Sequence, residues 1–305
     1  MNDIKKPMQT SDIDEVNLVE VFNALIDSKK FIVSFSLLVT LIGIIYSLMA
    51  PKIWTSSTLL TIAESSNSSF SNSSAMGGLA SIASLGMSDG NSKKGSKAIA
   101  IAQSREFFDH LLTFEDVLIN LMAVQSFNHE DNSNVYDDSI YDAVNKRWII
   151  PKPPNWIAYK VYNDILSISF DNKSNFVTAS VSHRSPKFSQ EFLQLIIREL
   201  NSLSRNRALN QSQASLNYLY DELSSSQLND VRLAISQLIE TQLKTQMLAR
   251  VKVDYALETI DKPYYPNERS SPQRKKITFT ALFLGVFLSI FSVLIRFFLK
   301  KALIN

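Results

Sequence analysis

Residues 261–295 read DKPYYPNERSSPQRKKITFTALFLGVFLSIFSVLI, and the order of features in them decides the fold. Prolines at 263, 266 and 272 lead into a basic triplet, Arg274, Lys275 and Lys276, and then into nineteen residues, 277–295, without a charge. As a helix that run spans about 29 Å, the thickness of a bilayer's hydrocarbon core. Proline fixes φ and extends the backbone, so Pro263, Pro266 and Pro272 make 261–276 a semi-rigid strap coupling an extramembrane body to a transmembrane helix. A plain linker is the simpler reading of the same residues. Arg274, Lys275 and Lys276 fall at headgroup level, where long cationic side chains can reach back toward phosphates.

A second uncharged run, FIVSFSLLVTLIGIIYSLMA, occupies residues 31–50. It begins thirty residues into the chain, is longer than the apolar region of a signal peptide, and ends in Met49-Ala50-Pro51, a poor cleavage site, so it is expected to remain as an anchor. Between the two anchors lie the 226 residues 51–276, enough for a compact domain with an extension. Residues 1–30 and 296–305 are too few for a folded domain on the other side. Lys5, Lys6, Lys29 and Lys30 precede the first anchor and only Lys52 follows it closely, which puts both termini in the cytoplasm and 51–276 outside.

Other function classes are excluded by composition. The chain has no cysteine, hence no disulfide framework, thiolate metal site or cysteine nucleophile. A net charge of +2 gives no reason to expect nucleic acid as a partner. His110, His129 and His183 have no metal-ligand spacing, and His183, at a strand end, reads as an ordinary exposed residue. The glycines near lysine do not form a phosphate loop, no G-x-S-x-G elbow occurs, and Asp137-Asp138 reads as solvated surface. No catalytic residue, cofactor or metal site is expected.

Along the chain, DEVNLVEVFNALIDSKK (14–30) has its acids first, its lysines last and Val19, Phe22, Leu25 and Ile26 at helical spacing, the pattern of an amphipathic helix. Residues 52–63 read as a strand. Residues 65–97 read as a Gly- and Ser-rich loop with a small-residue apolar patch at 76–87, either a linker or a packing surface for a neighbouring subunit. Residues 98–124 read as helix and 127–142 as a polar connection. ILSISF and FVTASVSH alternate around DNKS as a half-buried β-hairpin. Ser185-Pro186 then caps a stretch that runs from 187 to 261 without Gly or Pro. Its apolar sets, Leu193, Ile196, Ile197, Leu200, Leu203 and Leu228, Val231, Ile235, Leu238, Ile239, flank a turn at SSSQLND, giving a helical hairpin over about 187–254. Residues 255–260 return as a strand. In the anchors, Gly43 with Ser47 and Gly285 with Ser289 are pairs of small residues one turn apart, candidate points of close helix packing.

The order NLVEVFNALIDSKKFIV, GGLASIASLG, AIAQSREFFDHLL, SISFDNKSNFVTASVSHRSP, PYYPNERSSPQRKK resembles the Wzz family of polysaccharide co-polymerases, the chain-length determinants of lipopolysaccharide O-antigen, in its short class without a kinase domain. The resemblance implies an α+β fold: two transmembrane helices flanking a periplasmic α/β base with a long projecting helical hairpin. It implies a bacterial inner-membrane location, a homo-oligomer, and a non-catalytic role in setting how many units a Wzy-type polymerase adds to a lipid-linked polysaccharide. An inner-membrane adaptor for capsule or exopolysaccharide export shares this topology and is the competing expectation.

Overall fold

The structure is a computed structural model and describes residues 23, 25–63 and 90–304. Most of the expected amphipathic helix at 14–30, and the whole apolar patch at 76–87, lie outside these residues. The chain forms two compact units: its two ends, up to Pro51 and from Ser271, and the middle, Lys52–Ser270. The first helix, α1 (Lys29–Met49), belongs to the former.

The middle unit starts with β1 (Trp54–Ile62), whose TSST core explains its pairing, since β-branched and small hydroxyl residues suit a pleated surface. Three short helices follow: α2 (Gly90–Ala102), α3 (Arg105–Leu111) and α4 (Glu115–Ala123). The single helix expected over 98–124 is thus divided. Ser104 caps α3 by accepting from the N–H of Phe107 at 3.2 Å, and that cap requires extended backbone where a continuous helix would run. Residues 90–97, read as loop, open α2. Gly95 lies against the ring of Phe170, where a Cβ would come within 2.9 Å, so the glycine that looked like flexibility serves close packing.

The polar connection expected at 127–142 is instead two small hairpins, β2 (Val124–Asn128) with β3 (Ser133–Tyr136) and β4 (Tyr141–Asp142) with β5 (Arg147–Trp148). Next come α5 (Asn155–Ile165), β6 (Leu166–Asp171) and β7 (Phe176–His183). β6 and β7 form the hairpin that the alternation at 165–183 predicts, with Ile168 opposite Ala179 and Phe170 opposite Val177. Ser185 then accepts from the N–H of Phe188 at 3.1 Å and starts α6 (Pro186–Ser225), 40 residues and about 60 Å long. Three residues separate it from α7 (Asn229–Val251), and the chain returns in β8 (Leu257–Asp261).

The four-stranded antiparallel sheet has the order β6-β7-β1-β8. The N-terminal part of α6 lies on it, and its Phe188, Phe192, Leu193, Ile196, Ile197 and Leu200 close the main core with Val177, Ala179, Val181, Phe107 and Phe108. Beyond Asn201 the helix leaves the sheet and runs antiparallel to α7. There the core shrinks to Leu216, Ile235 and Ile239, with Leu219 and Leu223 alongside. Of the second apolar set read from the sequence, Leu228, Val231 and Leu238 are exposed.

The last helix, α8 (Arg274–Ile304), packs on α1 in the terminal unit. Lys29–Met49 and Arg274–Arg296, of 21 and 23 residues, are long and apolar enough to cross a membrane.

Candidate functional site

Within the terminal unit, α1 and α8 approach through their small residues. A Cβ on Gly43 would lie 2.5 Å from the Cβ of Ala281, and one on Gly285 would lie 3.0 Å from both Cα and O of Ser36. Carbon atoms at rest sit about 3.5–4.0 Å apart, so neither glycine accepts a side chain without moving the partner helix. Ser47 and Ser289 are buried in the same unit. Ser289 Oγ donates to the carbonyl of Val286 in its own helix, a local satisfaction that costs the pair nothing, whereas Ser36 Oγ and Ser47 Oγ are buried without a partner. The close approach of Gly43 and Gly285 is therefore made inside one chain.

At the start of α8, Arg274 is half-buried while Lys275 and Lys276 are exposed. No acid stands in this first turn. Three cations at a helix N-terminus oppose the helix dipole, at about 0.3–1 kcal/mol each where exposed, so helix stability does not account for their position.

The proline strap divides between the two units. Its residues 261–270 are not a free-standing spacer but a strip fastened to β1. Proline lacks an N–H, so a segment with Pro263 and Pro266 cannot extend the sheet by a regular backbone ladder. β1 supplies side-chain donors instead. Thr58 Oγ1 donates to the carbonyl of Asp261. Ser56 Oγ donates to the carbonyl of Tyr264 at 2.7 Å. Ser270 closes the strip, its N–H donating to the carbonyl of Ile53 at 2.9 Å and its hydroxyl meeting Thr55 Oγ1 at 2.7 Å. From α6, Gln190 Nε2 donates to the carbonyl of Pro263 at 3.0 Å. Pro263 and Pro266 are buried in this arrangement; Pro272, also buried, falls in the terminal unit. The run Thr55-Ser56-Ser57-Thr58 was the sequence signal for this ladder: hydroxyls buried in a strand need acceptors.

His183 is corrected by the structure. It is buried rather than exposed, stands opposite Trp54, and lies edge-on to Phe188 with ring centroids 4.7 Å apart. Its Nδ1 accepts from the N–H of Ser185 at 3.1 Å. Burial, aided by the charge of Arg184, pulls its pKa down to about 4 and keeps the ring neutral. Asp137 is exposed to solvent at its carboxylate and held below the ordinary range by the hydroxyl and N–H of Ser139, a turn-forming role. Among the described residues no group of three or more His, Asp or Glu side chains is arranged to hold a metal ion.

Asn201 and helix α5 also escaped the sequence reading. Asn201, 3% exposed, joins α6 to the start of β8: Oδ1 accepts from the N–H groups of Ala256 and Leu257 at 2.8 and 2.9 Å, and Nδ2 donates to the carbonyl of Leu257 at 2.9 Å. Helix α5 was also missed, although Pro153-Pro154 followed by Ile157, Ala158, Val161, Tyr162 and Ile165 at helical steps announces it. Its Tyr162 is buried and donates to the carbonyl of Ala102 at 2.6 Å.

No curated protein matches the sequence. Among solved structures, one described as a full-length bacterial polysaccharide co-polymerase aligns over 93% of this chain and 99% of its own, at 13% identity and a TM-score of 0.37. A fragment of WzzB, a polysaccharide co-polymerase from Salmonella Typhimurium, aligns over 72% of this chain and all of its own, at 12% identity and a TM-score of 0.26. The family model that matches is Wzz, chain length determinant protein, and it covers residues 14–113, the stretch from before α1 through α3. Over those 100 of its 305 residues, the chain carries the sequence signature of the Wzz chain length determinants.

Proposed function

We propose that this protein regulates the chain length of a surface polysaccharide, lipopolysaccharide O-antigen or a related glycan, without making glycosidic bonds itself. The observation that carries the reading is the match of residues 14–113 to the chain length determinant family. Two membrane-length helices, one near each end, support it. In this reading α1 and α8 cross the bacterial inner membrane, both termini are cytoplasmic, and Lys52–Ser270 is periplasmic. Copies of the chain associate around a Wzy-type polymerase and its growing lipid-linked polysaccharide. Exposed Leu233, Leu238, Met247 and Val251 on α7 are apolar surface that a second copy would cover. Gly43, Ser47, Gly285 and Ser289 hold the two spans together in one chain, Arg274, Lys275 and Lys276 meet anionic headgroups, and Pro263, Pro266 and Pro272 couple the sheet to the second span.

Reconstitution tests this. Polymerase alone in liposomes, fed lipid-linked repeat units, should give a broad distribution of lengths; adding this protein should impose a preferred length; this protein alone should make no polymer. Polymer formed by this protein alone, or an unchanged distribution, contradicts the reading.

A further inference from the structure

The terminal unit gathers three cations with nothing to balance them. Arg274, Lys275 and Lys276 open α8, and none of them makes an ion pair among the described residues. Gly43 lies against Ala281, so the C-terminal end of α1 stands beside this turn, and residues 44–51 carry no charge. Arg274 Nε is buried without a hydrogen-bond partner. Three consecutive cations repel one another as well as the helix dipole, a cost that an anion held at this turn offsets.

The face of α8 that begins with Lys275 continues in aromatic rings. Four-residue steps from Lys275 lead to Phe279, Phe283, Phe287 and Phe291, which are neighbours along one ridge of the helix. All four rings are more than half exposed, and centroids lie 5.1 Å apart for Phe279 and Phe283 and 6.5 Å apart for Phe287 and Phe291. The ridge is about 18 Å long. Contact with lipid in general does not require it: the large exposed side chains of α1 between Val33 and Ile45 are all aliphatic. Phenylalanine offers a wide contact area with only two torsions to freeze, so a row of them suits one long hydrocarbon chain held in place. A bare anion would leave the ridge unused, and an uncharged lipid would leave the cations unpaired. An ordinary phosphodiester headgroup brings one negative charge to the three cations, whereas a terminal phosphate or diphosphate brings about two or more.

We infer that the first turn of α8 binds a lipid with such a multiply charged phosphate head, in preference to singly charged headgroups, with its hydrocarbon chain lying along the phenylalanine ridge. The inference rests on α8 as a membrane span. That this lipid is the carrier of the growing polysaccharide rests in addition on the chain-length reading.

The test is calorimetric titration of the full-length protein in neutral detergent with four probes: geranylgeranyl diphosphate, geranylgeraniol, inorganic pyrophosphate and dioleoyl phosphatidylglycerol. Geranylgeranyl diphosphate should bind saturably and at least tenfold more tightly than each of the others. Lys275→Gln with Lys276→Gln, both exposed, should reduce its affinity at least tenfold. Phe283→Leu with Phe287→Leu, which keeps the span apolar, should reduce it at least threefold. Lys29→Gln with Lys30→Gln, exposed at the other end of α1, should leave it unchanged. Equal binding of geranylgeraniol overturns the charged head, and equal binding of pyrophosphate overturns the lipid. Equal binding of phosphatidylglycerol makes the turn a general headgroup contact and overturns the preference. An unchanged affinity in the phenylalanine variant overturns the ridge as the seat of the chain. No saturable binding, no effect of Lys275→Gln with Lys276→Gln, or a matching loss in Lys29→Gln with Lys30→Gln overturns the site altogether. None of these results bears on the reconstituted length distribution, which judges the chain-length reading separately.

Discussion

Asn201 and His183 show how single buried polar groups set the geometry of the sheet-bearing unit. Asn201 satisfies two backbone donors and one acceptor where the chain re-enters the sheet. Replacing it by leucine strands those groups, at about 1–3 kcal/mol for each that stays buried. Asn201→Leu should therefore unfold at clearly lower denaturant concentration, and an unchanged midpoint would refute this role. His183 predicts a pH dependence. Its folded pKa of about 4 lies below the ordinary 6.5, so the unfolded chain binds the proton more readily. Its contribution to stability is complete above pH 6.5, falls between 6.5 and 4, and levels off below; the full gap is worth on the order of 3 kcal/mol. Melting curves of the protein and of His183→Phe, taken between pH 7 and 4.5, should show the variant losing less stability as pH falls. Parallel losses would contradict it. Neither residue was legible beforehand. A polar side chain declares its partners only once elements distant in sequence, such as α6 and β8, have come together.

The elements themselves were read with uneven success, and the unevenness has physical causes. The β6-β7 hairpin and the start of α6 were plain because alternation, a serine cap and a proline are local signals. The membrane-length helices were plain for the same reason. α2, α3 and α4 were merged because the Ser104 cap is a single serine within a continuous apolar pattern. The short hairpins β2-β3 and β4-β5 were missed because their strands are only two to five residues long, too short for an alternating pattern to show. The docking of the strap was missed because side-chain donors, not a strand pattern, hold it. Removing those donors gives a direct test. Ser56→Ala with Thr58→Val deletes two hydrogen bonds of about 0.5–1.5 kcal/mol each, so local opening of 261–270 should rise roughly tenfold or more. Trypsin cleavage after exposed Arg269 reports it, Lys262 being protected by the following proline. Cleavage at the unaltered rate would mean that the hydroxyl ladder does not hold the strap.

At the scale of the whole molecule, the proposed role is that of an assembly shaping a product made by another protein. The apolar surface on α7 and the small secondary core around Leu216, Ile235 and Ile239 leave the hairpin thinly supported as a single copy. Light scattering in mild detergent should give a homo-oligomer of more than about four subunits, since a ring around a partner needs several copies; a monomer at all concentrations would contradict the scaffold. The central claim, that the chain regulates glycan length and does not build or export glycan, is met most directly by a gel of surface polysaccharide from a strain lacking the gene, beside the same strain complemented. The account predicts that the deletion strain still displays glycan, with the preferred length lost and the distribution falling smoothly toward short chains, and that complementation restores the mode. Complete loss of surface glycan, or polymer retained inside the cell as an export adaptor's loss would leave it, would contradict the account.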